Sequence, residues 1–469
     1  MKLSATQIQA IVDATKTPTP EQVRVVEAPR RPLLVVAGAG SGKTETMSMR
    51  VLWLLANHPD LTPASILGLT FTRKAAGELG DRLRERIRLL SREMPQMRER
   101  LDEDPVALTY NSFAERIVSE HGMRIGIDPD FSMLSEAGAL DLMTQIVEAW
   151  PTDLDEELRP IDAVPQVLHL AGELAEHGFT VESAREALEE LGRELSQVGD
   201  TNVEARNLLR ANRRRLAFLG PIATYQQRKR EMGVLDFSDQ LVLATRIVRE
   251  APSVRAALRE EFRAVLLDEF QDTSVIQMEL LSTLFGDHAV TAVGDPNQAI
   301  YGWRGASASS LETFLDRFQS GAPEAGQTLT LSTAWRNDVS ILDAANRVAA
   351  PLREVASYQQ GKDALKAQSP VLVPRKGAGQ GTVEIAYTQV YEDALAATVD
   401  FVKRVRSQAT KDGKRRTVAV LSRRRKDFPF IDTALREAGI PTEIVGLGGL
   451  LDQPAVQDVR AALELAYDV

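Results

Sequence analysis

Short apolar runs and helically spaced stretches alternate along the first third of the chain. Leu33–Ala37 is an apolar run that ends in a glycine-rich turn, and a helical pattern follows it to residue 55. Ile66–Thr70 precedes the helical stretch 73–90, and Val106–Thr109 precedes 112–120. Runs this short and this apolar have the length of strands buried on both faces. Their alternation with helices predicts a parallel α/β sheet.

From 134 to 227 the pattern changes to apolar residues at three- and four-residue spacing, as in 184–191 and 208–219, with no convincing strand. Thr180 and the pair Asp200–Thr201 read as helix caps. This stretch is predicted to be a helical insertion. Strand-like runs return at Ala264–Leu267, 289–293 and 328–331. The segment 359–380, rich in Lys, Gly, Ala, Pro and Gln, reads as a linker or surface loop. A second α/β set is then expected, with strands at 383–386, 418–421 and 442–445. No internal repeat at a fixed period is visible.

Composition narrows the picture only a little. The 469 residues suffice for two or three domains, and 43% hydrophobic with 26% charged is ordinary for a globular chain. Cysteine is absent, which excludes disulfides, thiolate metal sites and cysteine nucleophiles. Residues 1–20 carry no signal-like apolar core, and no run of about 18 apolar residues occurs, so no membrane span is expected. The net charge of −10 argues against a generally basic nucleic-acid coat but leaves room for a local basic groove. The basic runs 82–88, 213–215 and 423–426 read first as solvated faces.

The chemistry begins at Ala37-Gly38-Ala39-Gly40-Ser41-Gly42-Lys43-Thr44, between an apolar strand and a helix. Glycines let a backbone wrap around phosphates with its N–H groups pointing inward, and a helix N-terminus adds positive potential. In such a loop Lys43 reaches the β/γ-phosphates and the Thr44 hydroxyl holds Mg²⁺. The run Ala264–Leu267 ends in Asp268-Glu269-Phe270-Gln271-Asp272. Asp268 at a strand end suits the metal shell, and Glu269 suits orienting and deprotonating an attacking water. Asp-Glu after a strand says little alone, since acidic turn starts are common. Paired with the loop it points to ATP and Mg²⁺ as cofactors.

The stretches AGAGSGKT (37–44), LTFTRKAA (69–76), TYNSFAERI (109–117), LDFSDQL (235–241), LLDEFQDTS (266–274), VGDPNQAIYGWRGA (293–306) and AWRN (334–337) follow one another in the order of a known family. The chain resembles the UvrD/Rep/PcrA type of superfamily-one DNA helicases. Within that type PTPEQ (18–22), ETMSMRV and LGLTFTRKAAGEL are most similar to the actinobacterial AdnB-type helicase–nuclease subunits. The resemblance implies two RecA-like P-loop motor domains. The first would comprise 1–132 and 228–334, with a helical domain inserted at 133–227. Residues 335–469 would begin a second motor domain that is incomplete here, because a Thr-x-His-x-x-Lys-Gly-Leu-Glu motif and a late phosphate-contacting arginine do not occur in the sequence.

The resemblance also assigns roles. Gln22 matches the residue that reads the adenine edge, Gln298 the γ-phosphate sensor and Arg336 the arginine finger. Trp335 stands where an aromatic stacks on adenine; taken alone it reads as a core aromatic. Single-stranded DNA, or a single/double-strand junction, would meet Phe71, Thr72, Arg73, Asn111, Ser112, Tyr301, Trp303 and Arg304. Aromatic faces there stack on bases without reading sequence. Glu45, Asn111 and Arg425 depart from the family's usual residues, which are basic, histidine and asparagine at those places. The implied activity is an ATP-hydrolysing helicase moving 3′ to 5′, acting in DNA repair or recombination in the cytoplasm. A partner helicase–nuclease subunit is possible under the same resemblance. The alternative is an ATP- and DNA-binding accessory module without unwinding activity.

Overall fold

The strands of the molecule are, in chain order, β1 (Leu33–Ala37), β2 (Ile66–Thr70), β3 (Val106–Thr109), β4 (Ser132–Met133), β5 (Val234–Leu235), β6 (Ala264–Leu267), β7 (Val290–Gly294), β8 (Gln327–Leu331), β9 (Thr333–Ala334) and β10 (Val373–Pro374). The computed structural model describes residues 2–467 apart from 129, 156–157, 198–202, 303–304, 308, 320–324, 359–367, 409–412 and 446–453. The chain falls into two compact units, Met1–Gly381 and Thr382–Val469.

In the first unit six strands form one parallel sheet in the order β3-β2-β6-β7-β1-β8. Successive side chains of a strand point to opposite faces. Leu34 and Val36 of β1 enter one core, beside Leu67, Leu69, Val265 and Leu267. Leu33, Val35 and Ala37 enter the other, beside Ile66, Ala264 and Leu266. Both faces are covered by helices, which is why these strands are apolar throughout rather than alternating. The helices Tyr110–His121, Phe237–Glu250 and Val275–Phe285 contribute to the first core. Ala5–Asp13, Lys43–Asn57 and Arg73–Glu93 contribute to the second. In a parallel sheet all carboxyl ends lie on one edge. The loops after β1, β2, β3, β6, β7 and β8 therefore gather there.

Between β4 and β5, themselves a short parallel pair, the described residues make four helices: Glu136–Glu148, Pro160–Glu176, Val181–Gln197 and Val203–Met232. Leu142, Met143, Val164, Val167, Phe218 and Leu219 give this group its own core. Thr180 caps the third helix, its Oγ1 accepting from Ser183 N at 3.1 Å. The Asp200–Thr201 cap lies outside the described residues.

One expectation holds in part and one changes. Of the stretch read as a linker or surface loop, 359–367 lies outside the described residues, and 368–380 is a largely exposed loop held against the first unit rather than a linker. Ser369 is buried, β10 pairs with β9, and Leu372 and Asn346 exchange two hydrogen bonds of 2.9 Å. Its small and polar composition reads as loop because backbone and side-chain amide bonds, not apolar bulk, hold it. In the second unit the helices Tyr391–Ser407 and Phe428–Glu437 meet around Val402, Leu435 and Ile440. The runs 383–386, 418–421 and 442–445, expected as strands, are not strands. A strand exists only through hydrogen bonds to a neighbour. Among the described residues these three runs form no ladder with one another, and Ile385, Leu421 and Val445 are left exposed.

Candidate nucleotide site and DNA face

The loop after β1 turns on glycine. Gly40 and Gly42 have φ of 74° and 82°, a left-handed backbone that side chains disfavour. A Cβ on Gly38 would overlap Leu372 Cδ2, and one on Gly40 would lie 3.1 Å from Arg336 Cβ. Gly42 caps the helix Lys43–Asn57 with no side-chain bond to its first N–H groups. The Ser41 hydroxyl is buried without a protein partner. Free helix-end donors and an orphaned hydroxyl around a loop too tight for side chains fit a ligand rich in anionic oxygens.

Lys43 Nζ lies 2.9 Å from Glu269 Oε2. Glu269 is, among the described residues, the one non-glycine residue with positive φ, at 49°. Holding a glutamate there costs strain, and strain of this kind concentrates where a side chain must be aimed. Gln271 Nε2 donates to the same carboxylate oxygen at 2.9 Å. Burial alone would raise the Glu269 pKa, but Lys43 and Gln271 outweigh it and keep the group below its ordinary value. Asp268 behaves oppositely. Burial, reinforced by the Glu269 charge, pushes it up to about 6. Asp272 is pushed up to about 6 by the same two causes. Two adjacent carboxylates thus have environments that drive their protonation apart.

Gln22 lies in the first turn of the helix Pro20–Val26, its Oε1 accepting from Thr19 N at 3.0 Å. Gln22 Nε2, Glu45 Cβ and Trp335 Cδ1 all lie within 3.8 Å of the point where a Gly42 Cβ would stand, so three side chains converge beside the loop. Trp335 N donates to Gly40 O at 2.8 Å, and the residue is 43% exposed, not core. Arg336 is exposed, with its Cβ against Gly40. Glu45 is paired with Arg86 at 2.5 Å, so one member of the basic run 82–88 is not simply solvated. Gln298 donates to Asp295 Oδ2 at 2.7 Å, and Ser369 donates to Asp295 Oδ1 at 2.6 Å. Asp295 N in turn donates to Gln271 Oε1 at 3.0 Å. A continuous hydrogen-bonded path therefore runs from Lys43 through Glu269, Gln271 and Asp295 to Gln298. Gln271 and Asp295 were missed as functional residues. Both lie inside the recognised motifs, but their linking role depends on geometry the sequence does not display.

On the same sheet edge Phe71 and Tyr301 stack with centroids 5.0 Å apart and planes 25° apart. Phe71, Arg73, Asn111 and Ser112 line a cavity of about 560 Å³ that also meets Glu173 and Glu176 of the helical group. Thr72 caps the helix Arg73–Glu93, accepting from Ala75 N at 3.1 Å. Asn111 Oδ1 accepts from Gln277 Nε2 at 3.3 Å. Trp303 and Arg304 lie outside the described residues.

A parallel sheet with helices on both faces and a glycine loop running into Gly-Lys-Thr defines the P-loop class of protein. Residues 18–319 match the UvrD/REP helicase N-terminal domain, and the chain belongs to that family. It is similar to DNA helicase II of Escherichia coli (strain K12), 27% identical over 448 residues that cover 95% of this chain and 54% of that protein. It is also similar to the ATP-dependent DNA helicase PcrA of Leuconostoc citreum, 26% identical over 451 residues, 95% of this chain and 52% of that protein. The PcrA of Staphylococcus aureus (strain Mu50) is 26% identical over 454 residues, 95% and 53%. The chain spans about half the length of these curated relatives. Among the described residues no helix is long and apolar enough to cross a membrane.

Proposed function

We propose that this chain is the nucleotide-gripping part of an ATP-dependent DNA helicase that moves on single-stranded DNA. The observation that carries the reading is the contact of Lys43 with Glu269 at 2.9 Å, which places the loop lysine against the acids at the end of β6. ATP with Mg²⁺ supplies the scissile phosphoanhydride when bound. Lys43 and the loop N–H groups would hold its phosphates, and Thr44 and Asp268 would hold the metal. Glu269, kept ionised by Lys43 and Gln271, can accept a proton from water. Gln22 and Trp335 would flank the base, and Gln298 and Arg336 would answer the terminal phosphate. Phe71 and Tyr301, stacked on one another, offer faces that bases would replace or extend, with Arg73, Asn111 and Ser112 lining the cavity beside Phe71; Trp303 and Arg304 are proposed DNA contacts by the family pattern alone.

The family's two RecA-like motor domains, with 133–227 as the insertion and 335–469 as the start of the second, are part of this reading. So are 3′-to-5′ movement, a junction substrate, a role in repair or recombination, and a cytoplasmic location. The stretches 18–22, 45–51 and 67–79 favour an AdnB-like placement and, with it, a helicase–nuclease partner. The test is ATP turnover with and without single-stranded DNA in the native chain and in Lys43→Ala and Glu269→Gln. Whatever DNA-stimulated turnover the native chain shows is expected to be absent from both variants. Measurable turnover at the native rate in both variants would refute the site.

A further inference from the structure

Arg50 lies seven residues past Lys43 on the loop helix and is 1% exposed. Buried guanidinium groups ordinarily take a carboxylate partner. Arg50 instead spends its donors on neutral oxygens. Nε donates to Thr291 Oγ1 at 2.9 Å. Nη1 donates to the carbonyls of Val25 (2.9 Å), Val26 (3.3 Å) and Ala28 (2.9 Å), and Nη2 to that of Pro29 at 3.0 Å. Val25 and Val26 end the helix Pro20–Val26, where the dipole is negative and carbonyls lack the regular helical partner, although Val25 O also accepts from Ala28 N at 3.4 Å. Desolvation lowers the Arg50 pKa to about 10, which still leaves the group charged at neutral pH.

The elements that meet at this guanidinium are three. The helix Pro20–Val26 carries Gln22 in its first turn. The helix Lys43–Asn57 begins at the phosphate loop. Thr291 belongs to β7, which leads to Asp295 and Gln298. We propose that Arg50 is a positioning residue for nucleotide recognition, setting the distance from Gln22 to the phosphate loop and so controlling how strongly the base, as opposed to the triphosphate, is bound. The proposal rests on the reading of Gln22 as the base reader. A lysine at this place cannot reproduce it, because three donors on a flexible stem do not span five acceptors around a planar fork.

The test is equilibrium binding of Mg²⁺–ATP and of Mg²⁺–tripolyphosphate, which lacks base and sugar, to the 469-residue chain and its Gln22→Ala, Arg50→Lys, Thr291→Val and Gln22→Ala/Arg50→Lys variants. Arg50→Lys is expected to weaken ATP about tenfold, the size of one or two lost hydrogen bonds, and to leave tripolyphosphate within about twofold. The double variant should weaken ATP no more than the stronger single one, since both act through the same contact. Thr291→Val, which frees only Nε, should move the ratio in the same direction by about threefold; it decides the matter if Arg50→Lys does not fold. Equal loss for both ligands, an unchanged ratio, or additive effects in the double variant would overturn the proposal while Gln22→Ala still discriminates. If Gln22→Ala leaves the ratio unchanged, the base reading fails first and this inference with it.

Discussion

At the scale of single residues, the site is governed by which carboxylate can afford to be ionised. Glu269 has Lys43 and Gln271 on one oxygen and is kept charged, whereas Asp268, buried beside it, is pushed up to about 6. A carboxylate whose folded pKa exceeds its unfolded value of 3.8 weakens the fold when ionised. The penalty is fully present above pH 6 and vanishes below about 4. Asp268→Asn should therefore raise the melting temperature of the nucleotide-free chain at pH 8, by an amount corresponding to about 3 kcal/mol at most. The gain should fade as the pH drops through 6 and be gone at pH 4; a gain independent of pH would mean the carboxylate is not strained by ionisation. Lys43, Asp268 and Glu269 were legible because their chemistry demands fixed residue types at fixed places on a strand–loop–helix frame. Arg50 was not legible. An arginine in an amphipathic helix reads as exposed, and only the fold reveals that carbonyls from 25 to 29 surround it.

At the scale of elements, the long helix Val203–Met232 is fastened to the helix Phe237–Glu250 by one buried lysine. Lys229 Nζ lies 2.5 Å from Asp236 and 2.6 Å from Asp239, over the ring of Tyr225. Asp236, which burial alone would raise, is lowered on balance by Lys229, and Asp239 is raised by burial and by Asp236. Lys229→Met would leave two carboxylates buried without their cation. It should cost about 3–5 kcal/mol in denaturant unfolding at pH 7. The loss should shrink towards pH 5, as protonation relieves the pair; a loss that grows on acidification would contradict the account. Within Gln-Gln-Arg-Lys-Arg this lysine reads as surface charge, because helical phase alone does not say which neighbours cover it. The strands of the main sheet were legible for the converse reason. Burial on both faces makes them uninterrupted apolar runs, and β1, β2 and β6 needed no partner information. Of the runs 383–386, 418–421 and 442–445 only 418–421 is as uninterruptedly apolar, Glu384 and Glu443 breaking the other two, and a strand also needs a neighbour, on which composition is silent.

At the scale of the whole molecule, the carboxyl edge of one sheet brings the phosphate loop, the acid pair and the Phe71–Tyr301 stack into the same unit. Phe71→Ala and Tyr301→Ala should each weaken single-stranded DNA binding by about 1–3 kcal/mol at fixed salt, with little dependence on base sequence. Fluorescence anisotropy with oligonucleotides of different composition reads this directly, and unchanged affinity in both variants would remove the stack from the DNA face.

The central claim is that Lys43 and Glu269 form the phosphate end of an ATP site. Lys43 and Glu269 are paired at 2.9 Å, so phosphates at Lys43 would share its ammonium with the Glu269 carboxylate. The most direct measurement is equilibrium binding of Mg²⁺–ATP to the native chain, Lys43→Ala and Glu269→Gln. The account predicts that Lys43→Ala weakens binding by about tenfold or more, as for the loss of a charged hydrogen bond, while Glu269→Gln binds as tightly as the native chain or more tightly. Native affinity in Lys43→Ala would contradict it.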